Sequence, residues 1–90
     1  MLKTEFHKRA SKYLLNIYPK HAQQIAWSID LLRTNPVPSD SKKLAHSVYR
    51  RVDVGEHRII YRYTEDLLII PLIGKRNDGE VYRKLDRLEG

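Results

Sequence analysis

Residues 49–76 read YRRVDVGEHRIIYRYTEDLLIIPLIGKR, and this stretch decides the fold. Its hydrophobic period is two. Val52 and Val54 alternate with Arg51 and Asp53, as in a strand with one buried face. Gly55-Glu56 marks a tight turn. From Arg58 onward, Ile59, Tyr61 and Tyr63 take one face of a second strand, and Arg58, Ile60 and Arg62 take the other. Thr64-Glu65-Asp66 turns the chain again. Leu67 to Ile73 is almost wholly apolar, which predicts a central strand covered on both faces. Pro71 lies within it and cannot donate to a ladder, so a bulge or an unpaired position is expected there. The result is a three-strand antiparallel meander with one face to bury.

Upstream the period becomes helical. Phe6, Ala10, Leu14 and Ile17 form one stripe with Tyr13 beside it; Ala22, Ile25, Ile29 and Leu32 form another, flanked by Ala26 and Leu31. Each stripe has a charged or amide back. Pro19 suits the first turn of the second helix, where its missing N–H costs nothing. Asn35-Pro36 and Pro38 end that helix near Thr34. The short break at Tyr18-Pro19 predicts an antiparallel helical hairpin. Leu2 to Phe6 could add a strand, residues 36–47 read as irregular, and Gly74 and Asn77-Asp78-Gly79 break the chain. Glu80 to Leu88 reads as a short helix, or a strand leading into one. The order β-α-α-β-β-β-(α) is an α+β fold: an antiparallel sheet of about four strands packed against an N-terminal two-helix hairpin. One domain over residues 1–90 is expected.

Composition narrows the function classes. With 41% hydrophobic residues the chain can build one modest core, so wholesale disorder is excluded. The absence of cysteine removes disulfides, thiol nucleophiles and thiolate metal sites together. His7, His21, His46 and His57 are scattered and form no zinc pattern, so no metal or cofactor is expected. No apolar run is long enough to span a membrane. The N-terminus has no uninterrupted apolar core of a signal peptide, so a cytoplasmic protein is expected. Seventeen Lys or Arg against eleven Asp or Glu give a net charge of +6, which points to a polyanionic partner such as nucleic acid, the ribosome or an acidic protein.

The meander concentrates that charge. Arg51 projects outward from the first strand, Arg58 opens the second, and Lys75 and Arg76 follow Gly74. In an antiparallel meander these strand ends adjoin, so Arg51, Asp53, Arg58 and Arg76 can meet at one side of the sheet. Arginine forks bind phosphate bidentately and can stabilise the added charge of a pentavalent transition state. Tyr82, six residues beyond Arg76, could stack on a base. Solvated strand ends are the plain alternative for each arginine taken singly. Tyr61 and Tyr63 read as structural, and Trp27 as either the edge of the core or a partner contact.

The segments 49–61, 67–70 and 74–83, in their order and spacing, closely resemble the RelE/ParE superfamily of bacterial toxins. The likeness covers nearly the whole chain, including the N-terminal strand and the helical hairpin with its Asn35-Pro36 exit. It implies a toxin of a type II toxin–antitoxin system. Members that resemble RelE cut messenger RNA in the ribosomal A site. There the 2′-hydroxyl attacks the adjacent phosphate, giving a 2′,3′-cyclic phosphate and a 5′-hydroxyl and inhibiting translation. An acidic antitoxin blocks the toxin, and DNA is met only through their complex at its operator. ParE-like members instead poison DNA gyrase, and a small RNA-binding module without catalysis is a further alternative. By this resemblance Arg58 stabilises the phosphate, Arg76 assists the leaving 5′-oxygen, Tyr82 stacks on the substrate base and Arg51 is the first basic residue of the preceding strand. Asp53 stands where RelE-like members carry a lysine held to be the general base. Either the carboxylate serves as the base, or Arg50 or Lys42/Lys43 moves in, or activity is low. His57 beside Arg58 could act as acid or base near neutral pH, or only cap the turn. Lys42, Lys43, Arg50, Lys75 and Arg83 are the remaining candidates for contact with messenger or ribosomal RNA.

Overall fold

The computed structural model describes residues 1–77 together with Gly79, Tyr82, Arg83, Leu85 and Arg87. The chain runs β1 (Lys3–Phe6), α1 (Lys8–Asn16), α2 (Pro19–Thr34), β2 (Lys42–Lys43), β3 (Arg50–Val54), β4 (His57–Tyr63) and β5 (Leu67–Lys75). Among the described residues of the expected C-terminal helix, Tyr82, Arg83, Leu85 and Arg87 are helical. Glu80, Val81, Lys84, Asp86 and Leu88, like Asp78 of the expected break, lie outside the described residues.

Five strands form one sheet in the order β1-β5-β4-β3-β2. The meander β3-β4-β5 is antiparallel, as its period predicts. Two features differ from the sequence reading. β1 runs parallel to β5, with Lys3 opposite Leu67, so the sheet is mixed; α1 and α2 lie between β1 and the meander and return the chain to the far edge. Within the stretch read as irregular, Lys42 and Lys43 pair with Arg51 and Arg50 as a fifth, edge strand. Two residues are too short to leave a periodic signal.

The turn between β3 and β4 is a two-residue loop, because Val54 pairs with His57. Gly55 has φ +60, the conformation a type II′ hairpin turn requires at its first position. The bulge expected at Pro71 is present. Ile60 pairs with Leu72 and Arg62 with Ile69, so Ile70 and Pro71 together oppose Tyr61. The extra residue shifts the alternation of β5 by one. Leu68, Ile70 and Ile73 consequently all face the helices, while Leu72 faces away.

The main core lies between helices and sheet. Ala10, Ile25, Ile29 and Leu32 from the two stripes meet Val52, Ile59, Tyr61, Leu68, Ile70 and Ile73. Pro19 occupies the first turn of α2, which ends at Thr34, just before the two prolines. Leu2 N–H donates to Arg33 O at 3.1 Å and Arg33 Nε donates to Leu2 O at 2.8 Å, tying the N-terminus to the end of α2. Tyr61 is fully buried and its hydroxyl donates to Pro36 O at 2.7 Å. Tyr63, at the strand end, is exposed. A smaller cluster on the opposite face joins Ile60, Leu72 and Leu85 with Leu44, Tyr49 and Tyr82. Among the described residues no helix is long and apolar enough to cross a membrane.

Candidate functional site

Strand parity sorts the candidate residues. Partners in an antiparallel ladder share a face. Val52, Ile59 and Tyr61 face the helices, so Arg51, Asp53 and Arg58 face away, on the side that carries the smaller cluster. Lys42, paired with Arg51, joins them. Arg50 pairs with Tyr61 and Lys43 with Arg50, which puts both on the helix side.

On the open face Asp53 and Arg58 are direct cross-strand partners. Arg58 Nε donates to Asp53 Oδ1 at 2.7 Å and Nη2 donates to Oδ2 at 3.2 Å. Arg51 Nη1 lies 3.9 Å from Oδ2. Arg58 Nη1 donates to the Tyr82 hydroxyl, and the guanidinium carbon stands 5.7 Å from the centre of the Tyr82 ring. Tyr82 is held there by the smaller cluster around Ile60. Arg76 arrives from the end of β5. Its backbone N–H donates to Glu56 O at 2.9 Å, and its Nη1 lies 3.5 Å from Gly55 O, so its exposed side chain is beside the β3–β4 turn. Arg51, Asp53, Arg58, Arg76 and Tyr82 are therefore brought together.

The charges act on one another. The hydrogen bond from Arg58, followed by the positive charges of Arg58, Arg51 and Arg76, holds the Asp53 carboxyl below the usual carboxylate range against the opposing effect of burial. The same bond raises the Arg58 guanidinium above its ordinary value. A carboxylate so stabilised is a weak base. Arg58 keeps one N–H on Nη1 and one on Nη2 beyond those directed at Asp53 and Tyr82, since a guanidinium carries five.

His57 is not part of this group. Its parity places it on the helix side, 7% exposed, and its neighbour Arg58 points the opposite way. The expectation that it stands beside the arginines as an acid or base is corrected by the alternation of β4. His57 Nδ1 and the Tyr13 hydroxyl share a hydrogen bond of 2.8 Å, and His57 Nε2 and His21 Nδ1 share one of 3.0 Å. These hydrogen bonds join α1, α2 and β4 through residues too far apart in the sequence to leave a motif. Lys75 pairs with His57 and so also lies on the helix side, away from the arginines. Arg50 Nη2 donates to Ser41 Oγ at 3.0 Å, and Arg83 is exposed on the helical segment. Trp27 is 72% exposed, which removes it from the edge of the core.

Burial first, and the nearby His21 second, push the His57 imidazole below its ordinary value. A histidine held neutral in the fold stabilises it fully above the unfolded value of about 6.5, and that contribution is lost as pH falls toward the folded value. Urea unfolding of the wild type is expected to weaken from pH 7.5 to pH 5.5, and less so in His57→Gln. Equal slopes in the two proteins would remove His57 from the acid sensitivity.

No protein-family model matches the chain, and no curated protein matches it. Solved structures do. The RelE–RelB complex from Pyrococcus horikoshii OT3 is 24% identical, with a TM-score of 0.73 over 84% of this chain and 96% of that one. A variant of the E. coli toxin RelE in the free state is 16% identical, with a TM-score of 0.82 over 97% of each chain. The intact E. coli RelBE toxin–antitoxin complex is 13% identical, with a TM-score of 0.75 over 87% of this chain and 100% of that one. The chain has the RelE fold.

Proposed function

We propose that this RelE-fold protein is the toxin of a type II toxin–antitoxin system, a ribosome-dependent endoribonuclease that cleaves messenger RNA in the A site. The observation that carries this reading is the group formed by Arg51, Arg58, Arg76 and Tyr82 on the open face of the sheet. The 2′-hydroxyl oxygen attacks its adjacent phosphorus and gives its proton to a solvent water. The P–O5′ bond breaks, and the 5′-oxygen takes up a proton, leaving a 2′,3′-cyclic phosphate and a 5′-hydroxyl. The free N–H groups of Arg58 stabilise charge on the phosphate oxygens, and Arg76, at the rim, stabilises the leaving oxygen. Tyr82 offers its ring to the base and Arg51 adds positive potential. Lys42 extends that potential along the open face toward messenger or ribosomal RNA.

The partner is an acidic antitoxin encoded alongside, through which the complex reaches its operator DNA. The +6 charge and the exposed apolar side chains of Trp27 and Leu31 support such a partner. We place the protein in the cytoplasm, where ribosomes are. A second reading, an RNA-binding module or a ParE-like gyrase poison without cleavage, is favoured by one observation: the ionisable group among the arginines is a carboxylate, Asp53, that Arg58 holds as a weak base.

Primer extension on messenger RNA after induction separates the two, because only the nuclease creates new 5′ ends within codons. With purified ribosomes, Arg76→Ala is expected to lower the single-turnover rate by about a hundredfold while leaving ribosome binding intact, since its contact strengthens only in the transition state. Equal rates in Arg76→Ala and wild type would remove Arg76 from the chemistry.

A further inference from the structure

Asp53 stands between Arg51 and Arg58 on the open face, near the β3–β4 turn, and carries the wrong charge for binding RNA. Its geometry gives it another task. It faces the side edge of the Arg58 guanidinium, Nε and Nη2, with both carboxylate oxygens. Tyr82 meets Nη1. The Arg58 side chain is only 13% exposed, against 33% for Asp53. A long, flexible arginine is thereby fixed before any substrate arrives, with its remaining N–H groups left for an incoming oxyanion. Arg51, at 3.9 Å from the second carboxylate oxygen, holds the carboxylate from its other side.

Resting on the ribonuclease reading, we propose that Asp53 is a positioning residue: its carboxylate orients Arg58 toward the scissile phosphate and takes no proton from the substrate. An anion between Arg51 and Arg58 gives up part of the attraction for RNA in exchange for an ordered arginine fork. Preorganised donors contribute because they need no reorientation as charge develops.

The role makes a prediction that a general base does not. Asp53→Asn removes a negative charge from a cationic face, so binding of a messenger RNA with a 2′-deoxy scissile nucleotide to the protein–ribosome complex should be unchanged or tighter. The single-turnover rate should nevertheless fall about tenfold to a hundredfold, the order expected for misplacing a reacting group. Asp53→Glu, which keeps the charge, should recover part of the rate. In an Arg58→Ala background Asp53→Asn should cause no further loss, because Asp53 acts through Arg58. The Nε–H resonance of Arg58, slowly exchanging in wild type, should shift and broaden in Asp53→Asn without any RNA present. Multiplicative losses in the double variant would make Asp53 act directly on the substrate and overturn the proposal, as would a wild-type rate in Asp53→Asn. Wild-type protein that leaves A-site messenger RNA intact overturns the ribonuclease reading instead. In that case an unmoved Arg58 resonance in Asp53→Asn still overturns the tether, so the two failures are read separately.

Discussion

Arg58→Ala is expected to lower the single-turnover cleavage rate by about a hundredfold to a thousandfold, the loss typical of removing one preorganised donor to a developing oxyanion. Arg58 bonds to both Asp53 and Tyr82, so its removal also deprives each of them of a partner. Asp53 keeps Arg51 at 3.9 Å, and its partial exposure lets water replace the lost partner, so the fold should survive. A melting curve beside the kinetic assay checks this. Arg58→Lys should rescue only a small part of the rate: it restores the charge, but an ammonium cannot hold a carboxylate along one edge and a phosphate along another. Arg58→Ala cleaving at the wild-type rate would remove the open face from the chemistry.

The second large effect is on stability. Ile59 is fully buried at the middle of the meander, among Val52, Ile25 and Ile73 of the main core. Ile59→Ala should cost about 2–5 kcal/mol, combining lost transfer energy with an unfilled cavity. That is a large share of the roughly 5–15 kcal/mol typical of a folded domain. Trp27→Ala, at an exposed position, should change stability by no more than about 0.5 kcal/mol. Urea titrations of the two variants make the comparison. A loss below about 1 kcal/mol for Ile59→Ala would mean that the site collapses around the deletion.

Much of the fold was legible because its signals are local. The alternation Arg51-Val52-Asp53-Val54 and the stripe Ile25-Ile29-Leu32 each fix which side of an element is buried. Pro71 announced its bulge through a missing donor. The rest depends on partners distant in sequence. Nothing in Lys42-Lys43 alone marks a strand, since pairing with Arg50 and Arg51 makes it one. For the candidate site, the order of the strands was enough to bring Arg51, Arg58 and Arg76 to one region, but the alternation of faces sorts their neighbours further. Arg50 and Arg51, or His57 and Arg58, are neighbours in the chain and lie on opposite sides of the sheet. The Asp53–Arg58 bond was reachable from the hairpin register, because a two-residue turn at Gly55-Glu56 makes Asp53 and Arg58 direct partners. The hydroxyl contact of Tyr82 was not reachable, because it depends on how the helical segment settles on Ile60.

The parallel pairing of β1 with β5 sets a timetable for the newborn chain. Lys3 emerges early from the ribosome and must wait for Leu67, its neighbour in the finished sheet. Until then the apolar stripes of α1 and α2 have no strands to cover, since every strand of the meander follows them in the chain. Contacts of such long sequence separation form slowly, after local helical turns are already fluctuating. Arg76 lies beyond β5, so the open-face cluster is complete only after the last strand has left the exit tunnel. A ribosome making this protein has therefore translated at least that far before the chain can present the assembled arginines of the open face.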